Sequence, residues 1–119
     1  MGARSRYEPS YERARRERHR DEVLERGDPP QTLSDAEIER GEVPITRAPA
    51  PVAVAAWVRY GTTPVLVDGF TSTWTTRAVE VVWRTPRGDP QRAWVWANAV
   101  RRRPATSAER LGIRPPPSP

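Results

Sequence analysis

The sequence predicts a mainly β protein: a small barrel of four or five antiparallel strands. A charged N-terminal helix and a short capped helix precede it, and a disordered proline-rich tail follows. Three observations lead there. Residues 52–103 alternate apolar and polar side chains in short runs bounded by glycine and proline, the period of half-buried strands. All five tryptophans, Trp57, Trp74, Trp83, Trp94 and Trp96, lie inside that segment. Its flanks differ in kind: residues 1–51 are dense in arginine and acid, and residues 104–119 in proline. A chain of 119 residues, 36% of them apolar, has room for one small domain.

The first element is a helix from about Ser10 to Arg26. Ser10 follows Pro9 as a suitable N-cap, and Gly27-Asp28-Pro29-Pro30 is a strong stop. Arginine and glutamate alternate between them. Tyr7, Tyr11, Ala14, Val23 and Leu24 form only a thin apolar stripe, so the expectation is a solvated helix laced with Glu–Arg pairs. The second element is a six- or seven-residue helix: Ser34 and Glu37 have capping-box spacing, Leu33 and Ile38 form a hydrophobic staple, and Gly41 terminates it. So short a helix needs support, and Leu33 and Ile38 seek an apolar surface on either the barrel or another protein. Residues 43–51, with Pro44, Pro49 and Pro51, read as an extended linker.

Val52 to Tyr60 predicts the first strand and Gly61-Thr62-Thr63-Pro64 a turn. Val65–Asp68 predicts the second strand, bent or bulged at Gly69. Phe70 to Thr76 reads as either extended strand or wide loop. Arg77–Arg84 alternates clearly, Thr85-Pro86-Arg87-Gly88 suits a type I turn, and Gln91–Trp96 returns. Pairing Arg84 with Gln91 would set Val81 opposite Trp94, Val79 opposite Trp96, and Trp83 opposite Arg92 in a cation–π contact. In that register Trp83, Trp94 and Trp96 share one core face. Ala97–Val100 allows one 3₁₀ turn, and Val100–Arg103 a closing strand. The tail from Pro104, with a weak helical turn at Ser107–Leu111, is expected to be disordered.

The bent second strand and the turn before the last strand resemble an SH3-like small barrel over residues 52–103, with an OB-type barrel ranked second. Trp74-Thr75-Thr76-Arg77-Ala78-Val79-Glu80-Val81-Val82-Trp83, with Ala93-Trp94-Val95-Trp96-Ala97, also resembles small uncharacterised proteins of actinobacteria and their mobile elements. That resemblance implies no activity.

Composition narrows the chemistry. All 20 basic residues are arginine, so lysine nucleophiles and a P-loop lysine are excluded. Cysteine is absent, which excludes disulfides and thiolate metal sites. His19 is the single histidine and lies among charges. Asp68, Glu80 and Asp89 show no spacing that identifies a catalytic pair, and the glycines do not cluster. The expectation is therefore no enzyme, cofactor, metal or small-molecule substrate. The longest apolar run is seven residues, Val52 to Val58, so a membrane span is not expected and a cytoplasmic protein is.

The net charge of +5 resides in the middle: residues 1–51 sum to −1, 52–103 to +5 and 104–119 to +1. Trp57 shares strand parity with Arg59, and Trp74 sits among threonines, so both rings are expected to be partly exposed. With Arg59, Arg77, Arg92, Arg101, Arg102 and Arg103 they predict a small non-catalytic binding module contacting nucleic acid through an arginine-rich edge. The alternative is a protein-interaction or assembly component in a larger complex. It would dock through the N-terminal arm, with Leu33 and Ile38, and the exposed tryptophans.

Overall fold

The computed structural model describes residues 10–106. The end of the tail, including the Ser107–Leu111 turn, lies outside the described residues, as does Tyr7. The protein is mainly β: helix α1 (Ser10–Glu25) is followed by β1 (Thr46–Tyr60), β2 (Thr63–Trp74), β3 (Ala78–Arg84), β4 (Pro90–Trp96) and β5 (Val100–Arg102). A 3₁₀ turn at Ala97–Ala99 connects the last two strands. All pairings are antiparallel, in the order β4-β3-β2-β1-β5. The sheet is open, with β4 and β5 at its edges, so the closed barrel expected from sequence is not formed.

A strap of irregular chain bridges the gap that closure would have filled. The Gln31 amide donates to the Arg59 carbonyl of β1 (2.8 Å) and the Leu33 amide to the Trp94 carbonyl of β4 (2.9 Å). The Trp94 amide donates in turn to Thr32 Oγ1 (2.8 Å). Edge groups left bare by the open sheet are thereby satisfied.

Two expectations about the flanks are corrected. The linker over 43–51 is largely strand: β1 begins at Thr46, which pairs with Trp74, and its register shifts between Arg47 and Val52. Pro49 and Pro51 lie in that irregular stretch, where a missing N–H costs no ladder bond. The short helix is a single turn. Its capping box forms, with Glu37 N–H donating to Ser34 Oγ (3.1 Å) and Ser34 N–H to Glu37 Oε1 (2.9 Å). Glu39 then turns left-handed at φ +57° and the helix cannot propagate.

β2 is one strand of 12 residues, so Phe70–Trp74 is extended chain. Its pairing with β3 shifts register between Phe70 and Thr73. A Cβ added at Gly69 would overlap the Val82 carbonyl of β3, so glycine permits the close approach there. At the irregularity after Phe70, Thr71 Oγ1 accepts from the Thr73 amide (3.3 Å) and donates to its carbonyl (3.2 Å). Thr75 Oγ1 accepts from the amides of Arg77 and Ala78, closing the turn into β3.

The β3–β4 hairpin forms one residue away from the expected register. The Gly88 amide donates to the Thr85 carbonyl (2.8 Å), as a type I turn requires, and Gly88 follows at φ +93°. This adds a left-handed residue, so Thr85 closes against Asp89 and Arg84 pairs with Pro90 rather than Gln91. Trp83 consequently faces Gln91, Val81 faces Ala93, Glu80 faces Trp94 and Ala78 faces Trp96. The expected Trp83–Arg92 contact is replaced by an Arg92–Glu80 ion pair at 3.3 Å.

This register divides the tryptophans between two cores. In the larger, Trp83 (1% exposed) packs with Val54, Val58, Val65, Val81 and Val95 on one sheet face. Val23 and Leu24 of α1 complete that core, so the helix is docked rather than solvated throughout. Two adjacent apolar residues suffice because the sheet supplies the rest of the surface; burying each side chain contributes about 1.5–3 kcal/mol. The smaller core joins Ile38, Ala78 and Trp94, with Leu33 against them, and Arg40 lies 5.9 Å over the Trp94 ring. Leu33 and Ile38 thus find their apolar surface within the chain. Trp96, expected in the core, is 42% exposed.

Candidate binding surface

The outer side of β1 carries Trp57 and Arg59, because Val54, Ala56, Val58 and Tyr60 take the inward positions by strand alternation. Trp57 pairs with Leu66 and Arg59 with Pro64 on the same side of β2. The shifted hairpin register brings Trp94 and Trp96 toward this region from β4. Together with the strap they line a groove of about 660 Å³, whose polar groups include Arg59, Glu37, Gln31 and Asn98. Trp57 is 53% exposed there. Arg59 forms no ion pair among the described residues.

Trp57 also lines a second groove of about 640 Å³ on its other side. That wall is the side of α1 bearing Arg13, Arg15, Arg16, His19 and Arg20, with Glu17 the acid among them. Arg20 contacts Asp21 at 3.5 Å. The ring of Trp57 is therefore the junction between a tryptophan-lined and an arginine-lined concavity.

The predicted arginine edge is divided. Arg101 and Arg102 are exposed on β5, opposite Ala55 and Val54, and form no ion pair among the described residues. They share a groove of about 220 Å³ with Trp74, which is half-buried. Arg103 turns inward. Its Nε donates to the Val54 carbonyl (2.9 Å), Nη2 donates to the Gly69 carbonyl (2.9 Å), and the guanidinium lies 5.1 Å from the Phe70 ring centroid. It clamps the end of β5 to β1 and β2. Arg77 contacts Glu39 (3.6 Å), and Arg84 donates to the Gly88 carbonyl (2.5 Å) inside its own turn.

Of the predicted site residues, the structure brings Trp57 and Arg59 together in one groove and Trp74, Arg101 and Arg102 in another. Arg77, Arg92 and Arg103 are engaged within the fold. Sequence reasoning missed the groove contributions of Trp96, Trp94, Glu37 and Asn98. One signal would have found the tryptophans: Gly88 after a type I turn adds the left-handed residue that resets the register. Among the described residues no three acidic or histidine side chains gather to hold a metal ion. No helix among them is long and apolar enough to cross a membrane.

Compared with known protein families, curated proteins and solved structures, the chain matches none of them.

Proposed function

We propose that this protein is a small non-catalytic module that binds nucleic acid across Trp57. The observation that carries the reading is the position of that ring, exposed where the tryptophan-lined groove meets the arginine-lined side of α1. A ligand complementary to both concavities is planar and apolar in one part and anionic in another. Nucleic acid combines the two: bases stack on indole rings, and arginines hold phosphates. The binding surface on this reading moves from the Arg101–Arg103 edge to Trp57, Arg59 and α1, with Arg101, Arg102 and Trp74 as a separate basic contact. The five-strand order, with a 3₁₀ turn before β5 and the strap across the seam, supports reading the sheet as an opened SH3-like barrel.

Anisotropy titrations with labelled DNA and RNA, single- and double-stranded, at two salt concentrations test the function. Binding that weakens with salt, and weakens further in Trp57→Ala, is the expected result. Absence of salt-dependent binding at micromolar protein overturns it.

A second reading is a protein-interaction component, favoured by Glu37 and Pro64 in the tryptophan groove, which suit a peptide better than a phosphate. Its surface would be Trp57 and Trp96, since Leu33 and Ile38 are occupied inside the fold. Capture of a defined protein partner that Trp57→Ala abolishes, without nucleic-acid binding, would favour it.

A further inference from the structure

Resting on the nucleic-acid reading above, we propose that the ligand is a single strand with a base seated in the Trp57–Trp94–Trp96 groove, and that Glu37 selects bases carrying an exocyclic amino group. The first argument is steric. Trp57 and Trp96 are half-exposed rings lining one groove, and stacking on either needs a base face that a duplex keeps against its neighbours. The phosphates flanking that base meet arginine on both sides of Trp57: Arg59 in the groove itself and Arg15 on the α1 wall. Neither forms an ion pair among the described residues.

The second argument concerns the carboxylate. Glu37 lines this groove, yet a negative charge opposes a polyanion. Its useful role is to accept hydrogen bonds from a base. The Ser34 amide donates to Glu37 Oε1 at 2.9 Å, which orients the carboxylate and leaves Oε2 free to accept. Cytosine offers N4–H₂, adenine N6–H₂, and guanine N1–H with N2–H₂ on one edge. Thymine and uracil offer a single N–H between two carbonyls, which repel a carboxylate. That edge is open only when the base is unpaired. The expected order places guanine first and thymine or uracil last.

The test uses the full chain with oligo-dT strands that carry one guanine, cytosine, adenine or no substitution, and with the matching duplexes. Anisotropy reports affinity and intrinsic tryptophan fluorescence reports stacking. The expected result is saturable quenching by single strands, weaker binding of duplexes, and a guanine preference on the order of tenfold over all-dT. Glu37→Gln retains a capping-box residue and so preserves the turn. It should erase the guanine preference while leaving all-dT binding equal or tighter. Trp96→Ala should weaken single strands on the order of tenfold, with duplex binding unchanged. Salt-dependent binding without quenching, equal affinity for duplex and single strand, or a base preference that survives Glu37→Gln overturns this inference and leaves the broader reading intact. No binding of any nucleic acid overturns both.

Discussion

The indole N–H of Trp83 donates to the Tyr60 hydroxyl at 3.2 Å inside the larger core, and that hydroxyl donates onward to Gln91 Oε1 at 3.4 Å. One polar chain thus links β3, β1 and β4 where the sheet is otherwise apolar. Tyr60→Phe keeps the ring and removes the acceptor, leaving a buried indole N–H unsatisfied. Stability should fall by about 1–3 kcal/mol, read from the urea midpoint.

The same hydroxyl confers a pH dependence. Burial raises the Tyr60 pKa above its ordinary 10.0, and the hydrogen bond from Trp83 offsets part of that. The folded state therefore holds this proton more tightly than the unfolded chain does. Its contribution is complete below pH 10 and is lost as pH rises through the folded-state pKa. The chain has no lysine or cysteine, so few other side chains titrate in that window. Urea midpoints should decline above pH 10, and Tyr60→Phe should flatten the decline.

Gly69→Ala tests the close approach of β2 to β3. The new methyl would overlap the Val82 carbonyl, which is backbone and cannot swing aside. A loss of about 1–3 kcal/mol or more is expected from the forced shift of β3. An unchanged midpoint would mean that β2 and β3 approach less closely than described.

Three consecutive arginines should behave differently. The Arg103 side chain is 12% exposed and donates to the backbone carbonyls of Val54, Gly69 and Pro104. Arg103→Ala should cost about 1.5–3 kcal/mol, the range for hydrogen bonds to a charged group. Arg101→Ala and Arg102→Ala should stay within about 0.5 kcal/mol, as exposed positions do. Parallel thermal melts of the three variants compare them directly.

Ile38→Ala removes the largest strap contribution to the smaller core, where Ile38 is 2% exposed beside Trp94. A loss of about 2–5 kcal/mol is expected. Because the strap also binds the backbone of β4 through Thr32 and Leu33, hydrogen exchange at the Trp94 amide should accelerate more than exchange in β2.

Much of the local architecture was legible. The end of α1 before Gly27, the Ser34–Glu37 capping box, the type I turn at Thr85–Gly88 and the 3₁₀ turn before β5 all follow from short-range rules of backbone hydrogen bonding. The exposure of Trp57 was legible too, from its parity with Arg59. The candidate groove was only half visible, since Trp96 depends on a hairpin register that Gly88 shifts by one residue. Arg103 was read as a surface charge like Arg101 and Arg102. Its inward turn depends on carbonyls at Val54 and Gly69, supplied by two other strands.

The sequence by itself determined a mainly β chain with a charged helix before it, four or five strand-forming stretches, and a net positive charge concentrated in residues 52–103. Only the tertiary structure decided that the sheet stays open under a strap, that Val23 and Leu24 enter the core, and that Trp57 stands between tryptophans and arginines. The physical reason is range. Turns and caps are settled by residues three or four apart, whereas a side chain's face and neighbours depend on every bulge and register between distant strands.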